Sequence, residues 1–201
     1  MISFKCLMRW QLTGALSNII AVCMLFGLST TFALADNMAP DGFKAEHFSA
    51  DGYRIDRYRS PTPKTVAGAS SITTAQLQQL LKTQPSTLLV NTLPVSFQHG
   101  VFITKGNEQQ VPGSIWLPNV GRGDAAPMWL TYFEHNLARQ TKGNKHTPVV
   151  LYCAADCWMS WNATKRAASL GYTQLYWYRN GVDGWEEAGL ALELSVPQPI
   201  N

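Results

Sequence analysis

The chain has 201 residues, of which 46% are hydrophobic and 14% charged. That balance fits one ordinary domain plus some extra sequence and excludes wholesale disorder. A net charge of +3 is too weak for a nucleic-acid surface, and no Lys/Arg cluster is present to build one.

Lys5 and Arg9, with no acid among them, precede an apolar run over 19–28, and Ala33-Leu34-Ala35 precedes Asp36. A basic start, a short apolar core and an A-x-A end mark a secretory signal peptide. The run is short for a membrane span of about 20 residues, so cleavage after Ala35 is expected, with an uncleaved anchor as the alternative. Cys6 and Cys23 then leave with the leader, and Cys153 and Cys157 remain. The expected organisation is a signal peptide over 1–35, an N-terminal extension over 36–70, an α/β domain over 71–195 and a tail over 196–201. No other long apolar segment follows, so no membrane span is expected after cleavage. The expected destination is the periplasm, an oxidising compartment where a lone cysteine pair matters.

Residues 36–70 are rich in Asp, Gly, Ser, Pro and Arg. Two readings stand: a solvated arm, or an arm pinned across the domain by Phe43, Phe48, Tyr53 and Tyr58. From Ile72 the pattern turns regular. Thr73 or Thr74 can cap a helix with Leu77, Leu80 and Leu81 on one face, and Pro85 ends it. Residues 87–91 read as a strand buried on both faces. A long loop runs through Gly100, Gly106 and Gly113, and a second strand covers 114–117. Pro127 opens a helix striped by Trp129, Tyr132, Phe133 and Leu137. Residues 147–152 form another buried strand. A helix follows from near Met159, with Ala163, Ala167 and Leu170 on one face and Gly171 as terminator. A strand over 174–178 and a short helix over 182–188 complete the series. Strands alternating with helices predict an α/β fold with a central parallel sheet of about five strands and helices on both faces.

Cys153 falls where a strand ends and a helix is about to begin. Chemistry collects at such strand ends in open α/β sheets, and helix N-termini favour anions. The expectation is a lowered pKa at Cys153. A plain structural disulfide is the alternative, although the chain-entropy model gives a bridge this short only about 2 kcal/mol. Spacing excludes several other readings. A thioredoxin-type pair has two intervening residues, whereas Ala154, Ala155 and Asp156 are three. Haem attachment wants His where Trp158 stands, and a cysteine phosphatase wants Arg where Met159 stands. Two cysteines and unclustered histidines do not make a zinc site.

The strand-Cys-loop-helix unit is followed by Leu170-Gly171-Tyr172 and by Asn180-Gly181-Val182-Asp183-Gly184-Trp185-Glu186-Glu187-Ala188-Gly189-Leu190. With Leu88-Leu89-Val90-Asn91 and Val111-Pro112-Gly113-Ser114-Ile115 upstream, this order resembles a rhodanese-like domain over roughly residues 72–192. The string from Cys157-Trp158 to Lys165-Arg166, with Tyr58-Arg59-x-Pro61-x-Pro63, looks like the periplasmic CXXCW-motif proteins associated with PQQ-dependent catabolism. The family label counts two residues between the cysteines, and this chain has three.

The resemblance implies export and a periplasmic quinoprotein dehydrogenase system as partner. By position it makes Cys153 the sulfur-carrying nucleophile, Cys157 its resolving partner, and Ala154, Ala155, Asp156, Trp158 and Met159 the rest of the active-site loop. Asn91 and Leu93 stand where the family often has Asp and Arg, and the loop carries no cation. Sulfurtransferase-like or thiol–disulfide activity is one reading the resemblance implies. A second is a soft-metal carrier, with Cys153, Cys157 and Met159 as sulfur ligands suited to Cu(I). A third is a non-catalytic module whose tryptophans pack the core or form a docking face. In it Trp161 and Trp185 go to the core, and Trp158 is the contact candidate. No cofactor is firmly predicted.

Overall fold

The structure is a computed structural model describing residues 39–200, so the expected leader over 1–35, with Cys6 and Cys23, lies outside the described residues. Nine strands and four α-helices occur among the described residues. Five strands form one parallel sheet: β1 (Ser70–Ile72), β2 (Leu88–Asn91), β6 (Ser114–Trp116), β7 (Val149–Tyr152) and β8 (Leu175–Tyr178), in the order β1-β8-β7-β2-β6. The expected α/β architecture is therefore present, with β7 at the centre.

Alternation along the strands divides the core. Val149 and Leu151 of β7 face one layer with α2 (Pro127–Thr141) and α3 (Trp158–Ser169). Val150 and Tyr152 face the other layer with α1 (Thr74–Thr83) and α4 (Gly181–Glu187). All four residues of β7 are buried, which explains why the strand reads as an unbroken apolar run. Thr73 caps α1 through a reciprocal capping box with Gln76.

Two parts of the expected long loop are ordered into strands. β3 (Ser96–Gln98) and β4 (Val101–Ile103) form a hairpin turned by His99 and Gly100, both at positive φ. β5 (Gln109–Gln110) pairs with β9 (Glu193–Leu194). The C-terminal segment then covers the sheet edge: Gln198 N–H donates to Trp116 O at 2.9 Å. Tyr132 Oη donates to Gln198 O at 2.7 Å.

The N-terminal extension lies pinned against the domain. Asn162, wholly buried in α3, holds it from both sides. Its Oδ1 accepts the Arg54 N–H at 2.9 Å, and its Nδ2 donates to Arg54 O at 2.8 Å. The same Nδ2 donates to Gly121 O at 2.7 Å. Phe48 is buried in an aromatic cluster with Trp158, Trp161 and Trp177, while Phe43 and Tyr58 pack at its margin. Among the described residues no helix is long and apolar enough to cross a membrane.

Candidate functional site

β7 delivers Cys153 at its carboxyl end, in the middle of the sheet. Cys153 and Cys157 are joined as a disulfide with their Cα atoms 6.1 Å apart. Cys153 is 0% exposed and Cys157 5%. Asp156 makes the turn between them at φ +50°, a left-handed conformation that a short polar side chain tolerates. Gly181, at the start of α4, presses on this loop: a Cβ there would strike Cys153 O and Ala154 Cα. The next residue closes the contact, Val182 N–H donating to Cys153 O at 3.0 Å.

The position of α3 changes the electrostatic argument. The helix begins at Trp158, one residue before the expected start, and Cys157 is its N-cap. The positive end of the helix therefore lies next to Cys157, and Cys153, where the sequence placed the effect, is joined to it through the disulfide. Both cysteines are buried, Cys153 completely and Cys157 nearly so.

The structure gathers Cys153, Ala154, Cys157 and Met159 into one buried cluster, with Tyr58, Leu93 and Val182 packed on it. Ala155 and Asp156 form its rim. Trp158, expected as a contact residue, is instead wholly buried in the neighbouring aromatic cluster. Its Nε1 donates to Ser60 Oγ at 3.0 Å, and the Arg54 guanidinium sits 4.9 Å from its ring centroid. Burial lowers the Arg54 pKa. Trp161 and Trp185 are buried as well.

Several residues that the sequence did not place beside the loop surround it. Ser60 N–H donates to Asp156 O, and Trp158 N–H to Tyr58 O, each at 2.9 Å. Residues 58–60 thus run antiparallel to the loop, with Arg59 opposite Cys157. Asp183 Oδ2 accepts the Ala155 N–H at 2.9 Å. Arg59 Nη2 reaches the same oxygen at 3.0 Å. Asp156 Oδ1 lies 3.5 Å from Arg179 Nη2, so its charge beside the cysteines is partly compensated. Burial holds the Tyr58 phenol above its ordinary value; its Oη accepts the Gly123 N–H and donates to Asp124. The Arg59–Asp183 contact spans 124 positions, and no local pattern could have signalled it.

A depression of about 200 Å³ opens beside the loop, lined by Ala155, Asp156, Arg179, Asn180, Gly184 and Glu187. Among the described residues no cluster of three or more His, Cys, Asp or Glu side chains is arranged to hold a metal ion. While the sulfurs are bonded to each other, neither is a thiolate available as a ligand.

A strand-ended cysteine, a tight loop and a following helix at the centre of a parallel sheet define a class, and comparison with known proteins agrees. The rhodanese-like domain model matches residues 73–188, more than half of the chain, and the protein belongs to that family. No curated protein matches it.

Solved structures are similar at low identity. A thiosulfate sulfurtransferase from Pseudomonas aeruginosa is 18% identical, with a TM-score of 0.44, over 66% of this chain and 22% of its own. The polysulfide-sulfur transferase of Wolinella succinogenes is 18% identical, with a TM-score of 0.43, over 63% and 80%. A 3-mercaptopyruvate sulfotransferase from Escherichia coli is 14% identical, with a TM-score of 0.45, over 66% and 55%. The aligned region is thus about a fifth of the first of these proteins and about half of the third.

Proposed function

We propose that this protein is an exported thiol–disulfide module on a rhodanese fold, with Cys157 as the entry sulfur and Cys153 as its buried partner. The observation that carries the reading is the bonded pair at the end of the central strand, with Cys157 the more exposed of its two residues and at the N-cap position of α3. A thiolate freed at Cys157 would stand at the positive end of the helix, which favours it as the attacking group. The surroundings favour disulfide exchange over anion-dependent sulfur transfer. The loop has no cation, and the Ala155 N–H that could hold an anionic donor is taken by Asp183.

The leader and its A-x-A end support export, and an oxidising compartment suits the disulfide. The CXXCW-like string supports service to a periplasmic quinoprotein dehydrogenase system in PQQ-dependent catabolism. A second reading is persulfide transfer with Cys153 as nucleophile. It is favoured by the position of Cys153 directly after β7, where the family resemblance puts the sulfur carrier.

The test is alkylation of the reduced protein by a limiting reagent across pH, with each cysteine quantified by mass spectrometry. The proposal expects Cys157 to react first, with an apparent pKa below the ordinary value of about 8.5. Faster labelling of Cys153, together with cyanide-labile sulfur on it, supports the persulfide reading instead. Equal, slow labelling of both contradicts a chemical role.

A further inference from the structure

The cysteine loop carries a cover made by its own chain. Residues 58–60 cross it antiparallel, fixed by the Ser60-to-Asp156 and Trp158-to-Tyr58 backbone hydrogen bonds. The indole of Trp158 is tied to the Ser60 hydroxyl at 3.0 Å. A single ion pair joins the cover to the far side of the loop: Arg59 Nη2 lies 3.0 Å from Asp183 Oδ2. The same carboxylate oxygen holds the Ala155 N–H. Under this cover the disulfide is almost closed to solvent, Cys157 being the only one of its two residues with measurable exposure. The groups facing the latch are Arg59, Asp183, Asp156 and Arg179, and both ion pairs are partly exposed.

We propose that residues 58–60 are an autoinhibitory strap over the cysteine loop, latched by Arg59–Asp183, whose opening governs access of a thiol to Cys157. This rests on the thiol–disulfide reading for its biological use, but the gate is a property of the bond itself. With a small dithiol as reductant, one reagent thiolate attacks Cys157 Sγ. The Cys153–Cys157 bond breaks, and its electron pair leaves on Cys153 Sγ, which takes a proton. The second reagent thiolate then closes on the mixed disulfide and releases Cys157. The reagent ends as a cyclic disulfide and the protein as two thiols. A strap that lies on Cys157 must lift before the first of these steps.

The strap is built to lift. Its latch is a partly exposed ion pair, the kind whose contribution is small and falls with salt. Pro61 and Pro63 follow it directly and lack the N–H groups that would extend the pairing further along the arm. Its anchors on either side are stronger. Arg54 is held through Asn162, and the carbonyl of Thr65 accepts from Trp161 Nε1 at 3.1 Å. The segment between those anchors can open while the arm stays attached.

The experiment follows the rate of disulfide reduction by dithiothreitol in the folded protein, by quenched alkylation. Amide exchange at Ser60 and Trp158 is followed in parallel. Arg59→Ala and Asp183→Asn, which keeps an oxygen for the Ala155 N–H, should each speed reduction roughly two- to fivefold. The double variant should be no faster than the faster single one, because both remove one latch. Ser60→Pro removes both the Ser60 N–H bond to Asp156 and the hydroxyl that holds the Trp158 indole, without touching the latch residues, and should speed reduction roughly two- to tenfold. Added salt should accelerate the wild type and leave Arg59→Ala unchanged. Exchange at Trp158 should rise with the reduction rate in every variant, and exchange at Ser60 should rise with it in the two latch variants. Wild-type rates in all three variants overturn the strap, as does additive behaviour of the latch pair. Faster reduction without faster exchange at the Trp158 amide also overturns it. A pair with no cellular redox role would still show this gate, and failure of the gate leaves the thiol–disulfide reading to its own alkylation test.

Discussion

Asn162→Ala is the sharpest probe of how the arm is joined to the domain. The side chain is fully buried and makes three hydrogen bonds of 2.7–2.9 Å, two with Arg54 and one with Gly121. Truncation strands the Arg54 N–H, the Arg54 carbonyl and the Gly121 carbonyl together. Each buried group left unpaired costs about 1–3 kcal/mol, and groups sharing one partner do not sum fully. A loss of about 4 kcal/mol is therefore expected. For a domain of this size that corresponds to a melting temperature lower by roughly 8–16 °C. Thermal unfolding by circular dichroism gives the shift, and limited trypsin digestion at Arg57 and Lys64 reports whether the arm has lifted. The reasoning fails if the melting temperature falls by less than about 2 °C and both sites stay protected.

Three further outcomes follow from the structure. Gly181→Ala places a Cβ against Cys153 O and Ala154 Cα at a positive φ, so the loop must shift; a loss of about 1–3 kcal/mol in urea unfolding is expected. Cys153→Ser and Cys157→Ser should both stay folded, each losing only about 2 kcal/mol, because the bridge closes so short a loop; unfolding of either one favours the plain structural disulfide instead. Burial raises the phenols of Tyr58, Tyr132, Tyr152 and Tyr178 above the ordinary 10.0. Their neutral forms are favoured by folding, so stability is intact below that value and falls as pH rises above it, where the unfolded chain sheds protons first. Urea midpoints between pH 8 and 11 should be flat and then decline; a rise at the alkaline end contradicts the burial argument.

The sheet was legible where burial imposed a pattern. β2, β6, β7 and β8 are short apolar runs with defined ends, and the capped or Pro-led helices announce themselves. β1 was not legible, because Ser70 and Ser71 are exposed on an edge and show no apolar alternation. The β3–β4 hairpin was read as loop because its turn is His99-Gly100 rather than a common Asn-Gly pair. In the site, the cysteines and their strand-end position were readable, and the single-residue shift of the α3 start was not. That shift makes Cys157 the N-cap residue of the helix. The role of the arm was hidden for a different reason. Its deepest anchor is Arg54, a charged residue buried beneath aromatic rings and held by an asparagine 108 positions away. Charge in a Pro-rich stretch reads as solvation unless the partner surface is known.

The reduction potential of the Cys153–Cys157 bond, measured by equilibrating the folded protein in dithiol buffers and counting free thiols by mass, tests the central claim most directly. A thiolate stabilised at the N-cap of α3 favours the reduced form, and the short loop adds little to the oxidised one. The account predicts a potential above about −270 mV, in the range of exchanging disulfides. A value below about −300 mV, where structural disulfides lie, contradicts it.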